Sequence, residues 1–137
     1  MRLVLDTNVI ASALLWLGPP SQLLRLAGTN DVLLFSSLPL LAELSDILSR
    51  PKFEKKIAAS LLSVDQLVDL YAELVTLVRP ISVPRIAPDP DDVVIGTALA
   101  AKANLIVTGD RALLSLARYD GGRIASVSET LHTIAAR

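Results

Sequence analysis

The 137-residue chain has no cysteine, and only one histidine, one methionine and one tryptophan. Without cysteine there are no disulfides, no thiolate metal sites and no thiol nucleophile, which fits a cytoplasmic protein. Aromatic residues make up only 4% of the chain while 52% is hydrophobic, so the core must be Leu, Val, Ile and Ala. No apolar run approaches the ~20 residues of a membrane span. Met1-Arg2 leads straight into Leu3-Val4-Leu5 and Asp6, unlike a cleavable basic and apolar leader. A formal charge of −1 gives no general attraction for nucleic acid, so such a partner requires a local basic patch. The length suits one domain over residues 1–137, and no repeat, linker or low-complexity tract divides it.

What is present alternates between short apolar runs and capped helical patterns. Arg2 to Leu5 reads as a buried strand, after which Asp6, Thr7 and Asn8 offer N-cap side chains for a helix from Val9 to Leu15. Gly18-Pro19-Pro20 breaks that helix. Ser21 caps a second one, Gln22 to Ala27, and Gly28 ends it. Asp31 to Phe35 reads as a strand and Leu38 to Ser49 as a helix stopped by Arg50-Pro51. Lys52 to Leu62 reads as helical. Ser63-Val64-Asp65-Gln66 is a capping box opening a helix to Val78, with Leu67, Leu70, Tyr71, Leu74 and Leu77 at 3–4 spacing. Pro80, Pro84, Pro88 and Pro90 make an extended stretch with a short strand at Ile81 to Val83. Asp89 can cap, and Pro90 suits the first turn of, a helix from Asp91 to Ala103. Then follow a strand (Asn104 to Thr108), a helix (Arg111 to Arg118), a turn (Tyr119 to Gly122), a strand (Arg123 to Val127) and a helix (Ser128 to Ala135).

This alternation predicts a three-layer α/β/α fold with a mostly parallel central sheet. In such sheets the site lies beyond the carboxyl ends of the strands, where strand order reverses. Asp6 and Asp110 each directly follow a strand and would project there. Asp91 and Asp92 open a helix that feeds the Asp110 strand. Glu43 reaches the same place only if its helix passes over it. Together these acids would make an oxygen-rich pocket for a hard divalent cation such as Mg²⁺. Each has a plainer explanation. Asp6 and Asp110 can cap helices, and Asp91 and Asp92 suit a helix N-terminus through its dipole. Glu43 can be a solvated residue, although Leu40, Leu41, Leu44, Ile47 and Leu48 leave little room for a polar stripe.

The combination resembles the PIN-domain family of nucleases over nearly the whole chain. Leu5-Asp6-Thr7-Asn8-Val9 is similar to the family's first motif, and Pro39 to Leu44 running on to Arg50-Pro51-Lys52-Phe53 to its second. Asp89-Pro90-Asp91-Asp92, Thr97-Ala98-Leu99 and Ala103 to Asp110 resemble its third and fourth. Glu43 to Phe53 and Thr97 to Asp110 look most like the toxin components of toxin–antitoxin pairs. The resemblance implies an endonuclease for single-stranded RNA. Its site would use one or two Mg²⁺ or Mn²⁺ ions held by Asp6, Glu43, Asp91 and Asp110. Asn8 would hold the ion's water or Asp6, and Thr108 would bond within the acidic cluster or to phosphate. Helical periodicity does not choose between Asp91 and Asp92; the six-residue step from Asp91 to Thr97-Ala98 matches the family's spacing, which makes Asp91 the ligand and Asp92 its helper. The resemblance also implies an antitoxin partner and a homodimer. Apolar surplus at Leu14 to Leu17 and Leu61 to Leu77 points the same way.

Other residues carry less. Arg50, Lys52, Lys55 and Lys56 form the best candidate RNA patch, although such clusters are more often a solvated helix face. Trp16, beside Leu14, Leu15 and Leu17, fits either the core or an exposed partner surface. His132 is expected at the surface, and Ser36 and Ser37 have no histidine partner in the pattern. Two rival functions are an aspartate-nucleophile phosphatase and a catalytically inactive PIN-fold binding module. The first normally needs a second Asp two positions after the nucleophile, where this chain has Asn8, and no obvious catalytic lysine follows. The second does not explain why mutually repelling acids are retained.

Overall fold

The strands form where apolar runs are shortest and the helices where a cap precedes a longer apolar pattern. The computed structural model describes residues 1–27, 29, 31–82 and 91–137, with the side chain of Asp91 excepted. Gly28, Val83, Pro84, Pro88, Asp89 and Pro90, to which the sequence assigned ends, caps or extended backbone, lie outside them. The order is β1 (Arg2–Leu5), α1 (Thr7–Leu15), α2 (Pro19–Leu26), β2 (Leu33–Ser36) and α3 (Leu38–Leu48). A 3₁₀ turn (Pro51–Phe53) follows, then α4 (Glu54–Ser60), α5 (Val64–Leu74) and β3 (Val75–Leu77). The chain continues with α6 (Asp91–Ala101), β4 (Leu105–Val107), α7 (Arg111–Leu116), β5 (Arg118–Tyr119), β6 (Gly122–Ala125) and α8 (Val127–Ala135).

The strands form one sheet in the order β3-β2-β1-β4-β6-β5. All its pairings are parallel except the terminal β5–β6 hairpin. Side chains alternate between two cores, as the pleat requires. Leu3, Leu5, Leu34, Leu105 and Val107 face a cluster with residues of α1, α3 and α5. Val4, Phe35, Ile106 and Ile124 face one with residues of α6 and α7. A parallel sheet covered on both faces reads as unbroken apolar strands, which is why β1 and β4 carry no polar residue inward of their ends. The expected three-layer α/β/α fold is therefore the observed one.

Several boundaries differ from expectation. The predicted α5 runs to Val78, but the helix stops at Leu74 and Val75–Leu77 pairs in parallel with β2 as an edge strand. β-branched Val75 and Thr76 favour the sheet once β2 offers a ladder. Ile81 and Ser82 are not in a strand; the Ile81 N–H instead donates to the Gly96 carbonyl on α6 (3.0 Å). Pro19 and Pro20 open α2 rather than only ending α1, since a helix's first N–H groups need no partner. The single helix expected at Lys52 to Leu62 is a 3₁₀ turn plus a short α4, ended by Leu61 at φ 63°. Arg118, expected in α7, belongs to β5, and Val127, expected in a strand, starts α8 behind the Ser126 cap.

Helix α6 matters most for the site because it packs on β1, β2 and β4 together. Its C-terminal end is tied to the sheet by Arg2, whose Nε donates to the Ala101 carbonyl (2.7 Å) while its guanidinium lies 4.3 Å from the Phe35 ring centroid. Nearby, the Tyr119 hydroxyl donates to the Ala103 carbonyl, and burial pushes its pKa up to about 12. Tyr71 is fully buried in the opposite core, and burial raises its pKa well above the ordinary range.

Gly96 lets the chain after β3 cross α6 closely. A Cβ there would lie 2.3 Å from the Ile81 carbonyl oxygen, a backbone atom. We expect Gly96→Ala to destabilise by about 1–3 kcal/mol through overpacking, although alanine is favoured over glycine in a helix by about 1 kcal/mol. Thermal unfolding followed by circular dichroism should show the midpoint falling by several degrees. An unchanged or raised midpoint would mean that the Ile81 segment moves aside without cost.

Candidate active site

Strand order reverses between β1 and β4: the chain builds β2 and β3 outward on one side of β1, then places β4 on the other. The carboxyl ends of these two central strands are followed directly by Asp6 after β1 and by Thr108-Gly109-Asp110 after β4. The Asp6 N–H donates to the Val107 carbonyl (2.9 Å), which locks the two ends together. Asp6 is only 5% exposed. It is the N-cap of α1, with extended backbone at φ −65° and ψ 148°.

Both oxygens of this buried carboxylate have donors. Oδ1 accepts from the Thr7 N–H (2.8 Å) and Oδ2 from the Thr108 hydroxyl (2.7 Å). The threonines connect outward. The Thr7 hydroxyl donates to Glu43 Oε1 (2.9 Å), which shows that α3 does carry Glu43 over this end of the sheet. The Thr108 oxygen accepts the Asp110 N–H (3.0 Å), and Asp110 Oδ2 accepts the Leu113 N–H (3.0 Å), capping α7. The result is a chain of alternating acids and hydroxyls: Glu43, Thr7, Asp6, Thr108, Asp110. Asp6 is buried, Glu43 is half-buried and Asp110 is exposed, so the row opens toward solvent at its ends.

The structure thus brings together Asp6, Glu43, Thr108 and Asp110. Asn8 lies exposed in the first turn of α1, while Asp6 takes its hydrogen bonds from Thr7 and Thr108. Asp91 opens α6 and Asp92 is half-buried beside it; the Asp91 side chain lies outside the described atoms. Among the described residues no three acidic or histidine side chains gather closely enough to form a metal cage by themselves. The donor chemistry nevertheless fits a hard cation. Every candidate ligand atom is an oxygen, and each Asp6 oxygen accepts one hydrogen bond where a carboxylate oxygen can accept two. Among the described residues no arginine or lysine pairs with Asp6, Glu43 or Asp110; the ion pair formed is Arg50–Asp46, at 3.5 Å. Mg²⁺ retains several waters and needs few direct protein bonds, so loosely spaced carboxylates suit it.

The basic patch is elsewhere. Arg50 precedes the 3₁₀ turn, and Lys52, Lys55 and Lys56 lie exposed on the turn and on α4. Lys56 lies over Trp16, the C-cap of α1, whereas Asp6 is that helix's N-cap. His132 is exposed on α8, as expected. Ser36 and Ser37 are buried. Ser37 donates to the Thr97 hydroxyl (2.9 Å), whose own proton goes to the Val93 carbonyl (2.7 Å), pinning the start of α3 to α6. The Thr7 link between Asp6 and Glu43 was missed from sequence. Its signal is a hydroxyl directly after the first acid, but a capping threonine looks identical there.

Comparison with protein families matches residues 2–112 to the PIN domain. Among solved structures, the chain is similar to the crystal structure of VapBC2 from Rickettsia felis bound to a DNA fragment from their promoter. The TM-score is 0.62 at 17% identity, covering 92% of this chain and 98% of that one, a likeness of fold. Comparison with curated proteins finds no match.

Thr108 tests how the row is held. Thr108→Val keeps the shape but removes the donor to Asp6 Oδ2 and the acceptor for the Asp110 N–H. Leaving a buried carboxylate oxygen short of a donor should cost about 1–3 kcal/mol, read as a lower urea midpoint with unchanged slope. A midpoint equal to that of the parent chain would show that water replaces the hydroxyl and that Asp6 does not depend on it.

Proposed function

Because this chain belongs to the PIN-domain family, we propose that it is a divalent-metal-dependent endoribonuclease for single-stranded RNA, acting as the toxin of a toxin–antitoxin pair. The observation that carries this reading is Asp6: a carboxylate buried at the reversal of strand order, held by two hydrogen bonds and joined through threonines to Glu43 and Asp110. A buried acid with no cation beside it is costly, and a site that binds a cation is a reason to keep it. Asp6, Glu43, Asp110 and Asp91 would hold one or two Mg²⁺ or Mn²⁺ ions. Such an ion supplies a nucleophilic water at neutral pH and offsets charge on the scissile phosphate. Thr7 and Thr108 orient the carboxylates from behind. On this reading Asp92 assists the ion and Asn8 holds one of its waters. Arg50, Lys52, Lys55 and Lys56 supply the local positive charge that a chain of net charge −1 needs to approach RNA.

The toxin assignment draws support from the similarity in fold to VapBC2. On this reading the protein works in the cytoplasm with an antitoxin whose basic side chain enters the acidic row and displaces the metal. No helix among the described residues is long and apolar enough to cross a membrane. Several large apolar side chains stay exposed, among them Leu17 (93%) and Leu61 (91%), with Leu70, Leu74 and Leu77 on α5 and β3. Such surface suits a homodimer and a protein partner.

Purified protein should cut single-stranded RNA with Mg²⁺ or Mn²⁺ and stop with excess chelator; equal cleavage in chelator would sink the metal mechanism. Asp6→Asn and Asp91→Asn should lower the rate by at least about a hundredfold, comparable to loss of a charge-stabilising catalytic group. Asp92→Asn should weaken it less. If Asp92→Asn is inactive and Asp91→Asn active, the ligand assignment moves by one residue. If both stay active, this segment serves only as a helix start.

Light scattering at micromolar concentration should give twice the mass of one chain. A monomer there would refute the homodimer.

A further inference from the structure

Trp16 is the only tryptophan in the chain, and it is not in the core. It caps the C-terminal end of α1, donating its N–H to the Ser12 carbonyl (2.9 Å), and is 40% exposed. Its ring meets the nearly buried Phe53 ring in an edge arrangement, with centroids 5.9 Å apart and planes at 67°. Lys56 Nζ lies 5.1 Å from the Trp16 ring centroid and Lys52 Nζ 5.0 Å from that of Phe53. Three of the chain's four lysines fall between residues 52 and 56, with Glu54 as the acid among them. Asp46, the other nearby acid, pairs with Arg50.

An indole packed against a phenyl ring costs little further ordering when a flat ligand lands on it. Cations beside it serve the charge that accompanies such a ligand. Exposed aromatic rings interleaved with lysines are the features by which proteins hold single strands: bases stack on the rings and ammonium groups meet the phosphates. The absence of a general positive field makes the local grouping the more telling.

We propose that Trp16, backed by Phe53 and flanked by Lys52 and Lys56, is a base-stacking platform for single-stranded RNA. This deepens the nuclease reading and rests on it for the identity of the strand. A base takes the place of Lys56 over the indole, and the freed ammonium moves to the adjacent phosphate. Asp6 and Trp16 are the two caps of one nine-residue helix, about 14 Å long at 1.5 Å per residue. A strand held at Trp16 and cut beside Asp6 is thus gripped at both ends of a rigid rod, and the footprint extends several nucleotides from the cut.

The single tryptophan reports the event itself. A ten-residue oligouridylate carrying an end label is titrated into the full-length chain in excess chelator, so that binding is read without cleavage. Tryptophan emission should be quenched as anisotropy rises, and an abasic ribose-phosphate oligomer should bind without quenching. Trp16→Ala should weaken oligouridylate binding by about five- to a hundredfold, with Trp16→Phe keeping most of the affinity. Lys56→Ala should lower the slope of log affinity against log salt by about 0.7. Binding with unchanged emission overturns the platform, as does a folded Trp16→Ala chain that binds as tightly as its parent. Emission that answers a purified antitoxin peptide but no RNA also overturns it, and makes this face a protein interface. A chain that binds and quenches yet never cuts RNA keeps the platform and retires the nuclease. One that cuts RNA while Trp16→Ala alters neither KM nor binding does the reverse.

Discussion

A carboxylate at the end of a central β-strand has nowhere to go unless its neighbours supply donors, and much of the upper edge of this molecule answers that requirement for Asp6. Its own N–H is bonded to the Val107 carbonyl, so its position is set by the sheet. One oxygen is satisfied by the first turn of α1 and the other by Thr108 from the adjacent strand end. The same two threonines then orient Glu43 and the Asp110 backbone. Among the described residues, threonine hydroxyls and backbone N–H groups, rather than lysine or arginine, hold the row together. They fix direction without neutralising charge, so the acids remain available to a cation.

The sheet topology makes this arrangement possible. Placing β4 beside β1, after two strands have been laid down on the other side, brings residues 6 and 108 together across a hundred positions of sequence. α3 lies against α1 on one face while α6 covers the other, and the buried Ser37–Thr97 bond joins the two helices past the end of β2. Gly96 allows the chain leaving β3 to cross close to α6.

The two ends of α1 have different chemistry. The N-terminal cap is acidic and buried; the C-terminal cap is an exposed indole flanked by lysines. Acids that hold a cation and basic residues that attract a polyanion interfere if mixed, since each would neutralise the other. Here the two groups lie at opposite ends of α1, so neither neutralises the other.

Periodicity and capping chemistry were enough to read the alternating fold, the helix starts at Ser63 and Asp110, and the acids that follow β1 and β4; they left Asp6, Thr7 and Asn8 as equal candidates to cap α1, which starts at Thr7. These depend on neighbours a few residues away. The end of α5 was misread because Val75 and Thr76 suit helix pattern and strand propensity alike, and only the ladder on β2 decides between them. That Glu43 would meet Thr7, and that Lys56 would lie over Trp16, was not legible either. Those pairings join residues tens of positions apart, and local sequence carries no term for the order in which strands are laid beside one another. The sequence by itself determined which residues could be ligands, caps or strands. The tertiary structure alone decided which of them share a site, because proximity across a sheet is set by strand order and helix packing.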